Sequence, residues 1–411
     1  MQVRFWIKIL NVQEKKIFIS LKMGFWFMKK NKDQLYSSRK ISFSGIDIQL
    51  DVNKKKINQS IQKTLERGKF IMGPEVKKLE TELSNFCKSK FSITCANGTD
   101  AITLALMALD FKSDDYIITP AFGFISTVES PTQLGVKPIF VDINKDNFSI
   151  NINELKKIII KARNEKIKIK GIITADLFGE PANYSELLEV CKENNLLWIN
   201  DGAQAFGSKY NKKSITLYSD VTTTSFFPSK PLGCYGDGGC VFTESEKLAS
   251  KISSLKIHGK GENKYDNIFV GLNSRLDSIQ ASVLLEKLKL FKKEIKRRNE
   301  ISDFYLKNLC KNIKLPDKQD KSYSVWSQFT IRTKNRDNLK EFLLQKKIPT
   351  MIYYPKPLNK QKAYKKFTNF NNSLINCEEA CKEVLSIPIH GYMCNSQAEY
   401  IAETINNFYK K

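Results

Sequence analysis

The stretch Ser225–Gly239, SFFPSKPLGCYGDGG, carries the strongest signal in the chain. Strand-like runs flank it, so it reads as a hairpin connection. Pro228 and Pro231 bracket Ser229-Lys230, and Gly233, Gly236, Gly238 and Gly239 follow. Proline restricts the backbone, and glycine lets chain or ligand approach closely. A solvent-facing lysine in a plain glycine-rich turn explains the glycines but not the two prolines. A lysine that forms a Schiff base explains both. It must be placed accurately and partly stripped of water, so that some of it is neutral.

Outward from the hairpin, apolar runs alternate with helical segments. FSIT (91–94), DYIITPAFGFIST (115–127), KPIFVDI (137–143), IKGIITADLFGEP (169–181) and LLWINDGAQAFGS (196–208) end in polar or glycine residues. PEVKKLETELSNF (74–86) spaces Val76, Leu79, Leu83 and Phe86 at three and four, and AITLALMAL (101–109) is apolar on every side. That rhythm predicts an α/β domain with a mixed, mostly parallel sheet, and places ligand-binding residues at the carboxyl ends of the strands. A long helix follows, with Leu284, Leu288, Phe291 and Ile295 in one stripe and a basic opposite face. Beyond it, SVWSQFTIR, DNLKEFLLQKK and IPTMIYYP read as strand, helix and strand, and CEEACKEVL as a helix. The expected organisation is a large domain over 41–295 and a small C-terminal α+β domain over 296–411.

The 411 residues carry 67 Lys+Arg against 43 Asp+Glu, a formal net charge of +24. With 41% hydrophobic and 27% charged residues, this is the balance of a globular protein. No run of basic residues interleaved with aromatics stands out in the body of the chain, so the excess lysine reads as solvated surface, not as a nucleic-acid interface. Nine cysteines without a CxxC pair fit reduced thiols in a cytoplasmic protein, and two distant histidines, His258 and His390, give no zinc pattern. Residues 1–40 are basic and aromatic, but lysines interrupt every apolar stretch before the roughly 18 residues a spanning helix needs. They are expected to be a disordered extension without membrane insertion, with Met28 as an alternative start.

Five stretches supply candidate chemistry. Gly98 and Thr99 stand at a strand-to-helix turn, where free amides and a hydroxyl cradle a phosphate. Asn-Gly turns precede many helices, so this signal is weak alone. Asp201 ends a strand with Gln204 three residues on; such a carboxylate caps a turn, or pairs with a pyridinium nitrogen and keeps the ring an electron sink. Lys230 and Ser225 belong to the hairpin. Phe124 offers an aromatic plane, and Asn273 and Arg275 offer polar reach, although such residues more often serve a core or a salt bridge. Together, phosphate cradle, ring stacker, pyridinium partner and amine describe a site for pyridoxal 5'-phosphate.

The motifs ANGTDA, TPAFGFIST, DGAQAFGS, SFFPSKPLGCYGDGG and NSRLDSIQASVL resemble those of the DegT/DnrJ/StrS family of sugar aminotransferases, from about Ile41 to near the C-terminus. The wording of the hairpin resembles the subgroup that aminates UDP-linked 3-oxo sugars. The resemblance implies the fold type I of pyridoxal-phosphate transferases. It also implies a Schiff base at Lys230, Asp201 on the pyridinium nitrogen, and Gln204 and Phe124 beside the ring. Gly98, Thr99 and Ser225 would hold the phosphate, and Asn273 the phosphate in a neighbouring subunit, hence a homodimer. Arg275 would meet a substrate carboxylate. Tyr353-Tyr354-Pro355 stands where relatives often read His-Tyr-Pro, a region that contacts substrate. A nucleotide-sugar acceptor and an amino-acid donor, L-glutamate, are the implied partners. The alternatives are amination at C4 of a dTDP- or UDP-linked 4-oxo sugar and, from another class, a non-enzymatic binding or regulatory protein.

Overall fold

The computed structural model describes residues 40–410, apart from 264 and 371–373 and the side chains of 368–370. The expectations for the basic extension, Met28 included, therefore lie outside the described residues, save for Lys40. In chain order the elements are α1 (Ile46–Arg67), α2 (Pro74–Cys87), β1 (Phe91–Cys95), α3 (Gly98–Ala108), β2 (Tyr116–Pro120), α4 (Ser126–Gln133), β3 (Lys137–Val141), α5 (Ile152–Asn164), β4 (Ile169–Ala175), α6 (Tyr184–Glu193) and β5 (Leu197–Asp201). Two short strands, β6 (Lys209–Tyr210) and β7 (Lys213–Ser214), precede β8 (Val221–Ser225), β9 (Gly239–Thr243), α7 (Glu246–Leu255) and α8 (Ser278–Asn308). The C-terminal part holds β10 (Ser322–Tyr323), β11 (Phe329–Arg332), α9 (Arg336–Gln345), α10 (Ile375–Glu383), β12 (Val384–Ile387) and α11 (Asn395–Phe408).

The main sheet has seven strands in the order β1-β9-β8-β5-β4-β2-β3. Only β9 runs against the rest, pairing antiparallel with β1 and β8, while the other neighbours pair in parallel. Successive side chains of a strand point to opposite faces, and this sheet is covered on both. Ile118, Ile172 and Trp198 pack on one side with α5 and α6 through Leu155 and Leu187. Their neighbours Ile117, Ile173 and Ile199 pack on the other with α3 and α7 through Leu104 and Ile252. That double burial explains why these strands read as continuous apolar runs.

Helix α8 runs unbroken through the expected division at 296. Leu284, Phe291 and Ile295 pack with α2 and the lysine hairpin, whereas Ile301 and Tyr305 pack with Phe329, Leu339 and Ile387 of the C-terminal part. One expectation needs correcting. IPTMIYYP does not form a strand: only Met351 makes an isolated bridge, to Ser386. The antiparallel partner of β11 is β12, whose residues continue the CEEACKEVL helix. Pro349 and Pro355 bound the expected strand, and proline cannot donate to a ladder. Tyr353 and Tyr354 instead line a cavity together with Asp201 and Lys230.

Candidate active site

A cavity of about 650 Å³ opens at the carboxyl ends of β4, β5 and β8. Its lining includes Gly98, Thr99, Phe124, Asp201, Gln204, Ser225, Lys230, Tyr353 and Tyr354. Nine of the sequence-predicted residues thus meet in one place. Asn273 and Arg275 are not among the lining: Asn273 is exposed and bridges Ile257, and Arg275 is half-buried. A second groove of about 680 Å³ between α1, α2 and α8 contains none of the predicted residues.

The helix start at Gly98 is built by capping and close approach. Asn97 accepts from the Asp100 amide at 2.8 Å, which fixes the first turn of α3. A Cβ on Gly98 would lie 2.7 Å from Ser225 Cβ, so only glycine lets the helix terminus abut the end of β8. Amides of an N-terminal turn and the Thr99 and Ser225 hydroxyls therefore share one corner.

At the end of β5, Asp201 is buried and its Oδ1 accepts from the Ala203 amide at 3.0 Å. Burial pushes its carboxyl above the usual range; the Ala203 amide and Lys230 oppose that shift. Burial likewise holds the Lys230 amine below the ordinary lysine value, against the pull of Asp201. The Lys230 Nζ stands 5.9 Å from the centroid of Phe124, a ring that is 48% exposed. Gln204 is fully engaged. Its Oε1 accepts from the Phe178 amide at 2.8 Å, and its Nε2 donates to the Tyr354 hydroxyl at 2.9 Å. The C-terminal segment is thereby tied to β5 at the cavity wall.

Asp176, at the end of β4, was not singled out from sequence, although the strand-end rule that found Asp201 applies to it. It lines the same cavity, and its carboxylate accepts from Tyr184, Asn200 and the Ala182 amide. Burial pushes it up to about 6. Gln328, Ser126 and Asp237 also line the cavity, without a motif that announces them.

These donors suit one kind of group. Helix amides and two hydroxyls suit a phosphate, a flat exposed ring suits an aromatic heterocycle, and a buried carboxylate suits its protonated nitrogen. An amine with lowered proton affinity suits an aldehyde. Among the described residues no cluster of His, Cys, Asp or Glu has the makings of a metal site. No described helix is long and apolar enough to cross a membrane.

Comparison with known proteins agrees with this donor set. The chain is 38% identical over 357 residues to UDP-2-acetamido-2-deoxy-3-oxo-D-glucuronate aminotransferase of Pseudomonas aeruginosa, covering 86% of this chain and 96% of that one. It is 35% identical to a protein of Geobacillus stearothermophilus named pleiotropic regulatory protein, over 87% of this chain and 95% of the other. The crystal structure of a DegT DnrJ EryC1 StrS aminotransferase from Brucella abortus superposes with a TM-score of 0.88 at 37% identity, covering 90% of this chain and all of that one. The DegT/DnrJ/EryC1/StrS aminotransferase family pattern matches residues 51–406, and the chain belongs to that family of pyridoxal-phosphate-dependent enzymes.

Proposed function

We propose that this chain transfers an amino group from L-glutamate to the keto carbon of a nucleotide-linked sugar, specifically a UDP-linked 3-oxo sugar. The observation that carries the reading is the Lys230 amine sharing a cavity with buried Asp201 and the exposed face of Phe124. Similarity to the Pseudomonas aeruginosa aminotransferase supports the sugar class.

Bound here, pyridoxal phosphate supplies an electron sink for the pair left behind when a proton leaves the carbon bearing nitrogen. Lys230 would provide the amine that holds the cofactor's aldehyde and, when free, the base that takes the α-proton of the amino acid. Its lowered proton affinity supplies a neutral fraction for both tasks. Asp201 would hold the proton of the ring nitrogen, Phe124 and Gln204 would flank the ring, and Gly98, Thr99 and Ser225 would hold the phosphate. Tyr353, Tyr354 and Arg275 meet the sugar. Asn273 reaches the cofactor phosphate of a second subunit, which makes the active form a homodimer. The amino sugar product serves surface-polysaccharide assembly in the cytoplasm.

Lys230→Ala tests this reading. Wild-type protein treated with borohydride acquires a cofactor label on Lys230 and turns over UDP-3-oxo sugar with glutamate; the variant loses both. Turnover by Lys230→Ala removes the proposed amine from its role. Exclusive amination of a 4-oxo sugar moves the substrate assignment and leaves the chemistry.

A further inference from the structure

The hairpin that carries Lys230 is a closed loop. The Cys234 amide donates to Phe226 O at 2.7 Å, and the Lys230 amide donates to Phe227 O at 2.9 Å inside that closure. A Cβ on Gly233 would lie 2.5 Å from Pro228 O and 2.6 Å from Phe227 O, so the two limbs touch backbone to backbone. Gly236 lets the loop lie close against α8, since a Cβ there would stand 2.9 Å from Gln280 Nε2, but close approach alone is not an anchor.

Helix α8 supplies that anchor from one face. Gln280 accepts from the Tyr235 amide at 2.8 Å, and its Nε2 reaches Tyr235 O at 3.5 Å. Two turns on, Lys287 donates to Gly233 O, with its Nζ 4.9 Å from the centroid of the Tyr235 ring. Residues 233 and 235 flank Cys234, the closing residue of the loop. The two side chains therefore grip the loop at its base, on either side of the closure.

Lys287 is 2% exposed and sits beside the apolar stripe of Leu284, Leu288 and Phe291. A buried ammonium costs free energy that a leucine at this position would not incur. Burial lowers Lys287 to about 8; Glu294 on its own helix and Cys234 of the hairpin pull upward, and Arg298 pulls downward. A charge held under that burden, aimed at a single carbonyl and a ring, does more than fill space.

We propose that Lys287 and Gln280 are positioning residues that hold the base of the Lys230 loop through the backbone of residues 233–235, and so set where the reactive amine stands. The proposal rests on the reading of Lys230 given above for its catalytic consequence, but not for the clamp itself.

The test uses the full chain as purified, with hydrogen exchange followed at the amides of Lys230, Cys234 and Tyr235. Lys287→Met keeps the apolar stem, Lys287→Arg keeps the charge and donor, and Gln280→Leu removes the second grip. Lys287→Met and Gln280→Leu are each expected to speed exchange at those amides by about tenfold or more, with β8 and β9 unchanged. Both also lower kcat by about tenfold with the KM for amino donor nearly constant, because the amine is displaced and not the binding groups. Lys287→Arg restores exchange protection and kcat together. Unchanged exchange in Lys287→Met overturns the clamp. So does an increase spread equally over β8, β9 and α8 without rescue by arginine. Should Lys287→Met fail to fold, Gln280→Leu and Lys287→Arg decide the matter alone. Turnover by Lys230→Ala would defeat the functional reading while leaving the exchange pattern to judge the clamp.

Discussion

Asp176 and Asp201 end neighbouring strands and line one cavity, yet their surroundings assign them different work. Asp176 accepts three hydrogen bonds, from Tyr184, Asn200 and the Ala182 amide, and so ties the segment after β4 to the core. Asp201 has the Ala203 amide and the charge of Lys230. Asp201→Asn is therefore expected to lower kcat by about a hundredfold or more while the unfolding midpoint hardly moves. Asp176→Asn is expected to cost about 1–3 kcal/mol in urea unfolding, because an amide cannot accept all three donors. Equal losses of activity and stability in both variants would contradict the division. Sequence pointed to Asp201 through its place at the end of the LLWIN strand. Asp176 sits at the same kind of strand end, but its donors, Ala182 and Tyr184 just after it and Asn200 on the next strand, form no recognisable motif. His390 shows another property hidden in the sequence. Burial against Gly45 lowers it to about 3; Arg298 and Arg297 push the same way, and Asp47 opposes them. In the unfolded chain it titrates near the ordinary 6.5. Between pH 6.5 and about 3 the unfolded state binds a proton that the folded state refuses, so stability falls with falling pH. This group contributes a slope of up to about 1.4 kcal/mol per pH unit. Denaturant titrations across that window are expected to show a shallower slope in His390→Gln than in wild type, whatever its absolute stability.

Elements were legible where one physical demand dominated. The strands of the main sheet are buried on both faces and announce themselves as apolar runs, and the helix start at Gly98 follows a capping asparagine. The segment 348–355 misled because its apolar residues serve a cavity wall and an aromatic cluster, not a ladder: Tyr354 packs 6.0 Å from Phe122 and 6.4 Å from Phe124. Composition cannot separate those two uses of tyrosine. The junction of β8 and α3 makes a sharper claim about local geometry. With Ser225 Cβ only 2.7 Å from where a Gly98 Cβ would stand, Gly98→Ala pushes the helix terminus away from the strand end. Its expected effect is at least about a tenfold weaker hold on pyridoxal phosphate, measured by fluorescence titration, with circular dichroism unchanged. Wild-type affinity in that variant would remove Gly98 from the phosphate corner.

Charge is unevenly placed across the molecule. The chain carries a net charge of +24, yet its cavity lining contains Asp100, Asp176, Asp201 and Asp237 against the single cation Lys230. A nucleotide-linked sugar and a phosphorylated cofactor are anionic, so a further cation or hydrogen-bond donor from beyond that lining would favour their binding. Asn273 and Arg275 stand outside it, close in sequence to a segment with Tyr265 at 86%, Ile268 at 56% and Val270 at 90% exposure. Exposed apolar side chains in the segment next to Asn273 and Arg275 suit an interface with a second copy. Subunit mixing distinguishes this from a self-sufficient monomer. On the proposed roles, Lys230→Ala and Asn273→Ala are each expected to be inactive as pure proteins, since one would lack the amine and the other the reach to its neighbour's phosphate. Re-equilibrated together in equal amounts, half of the dimers are mixed, and in each of these one site receives both wild-type groups while the other receives neither. Activity then returns to about a quarter of the wild-type value. If both groups act within one subunit, mixing returns nothing, and size-exclusion chromatography of the same sample tells whether the dimer formed at all.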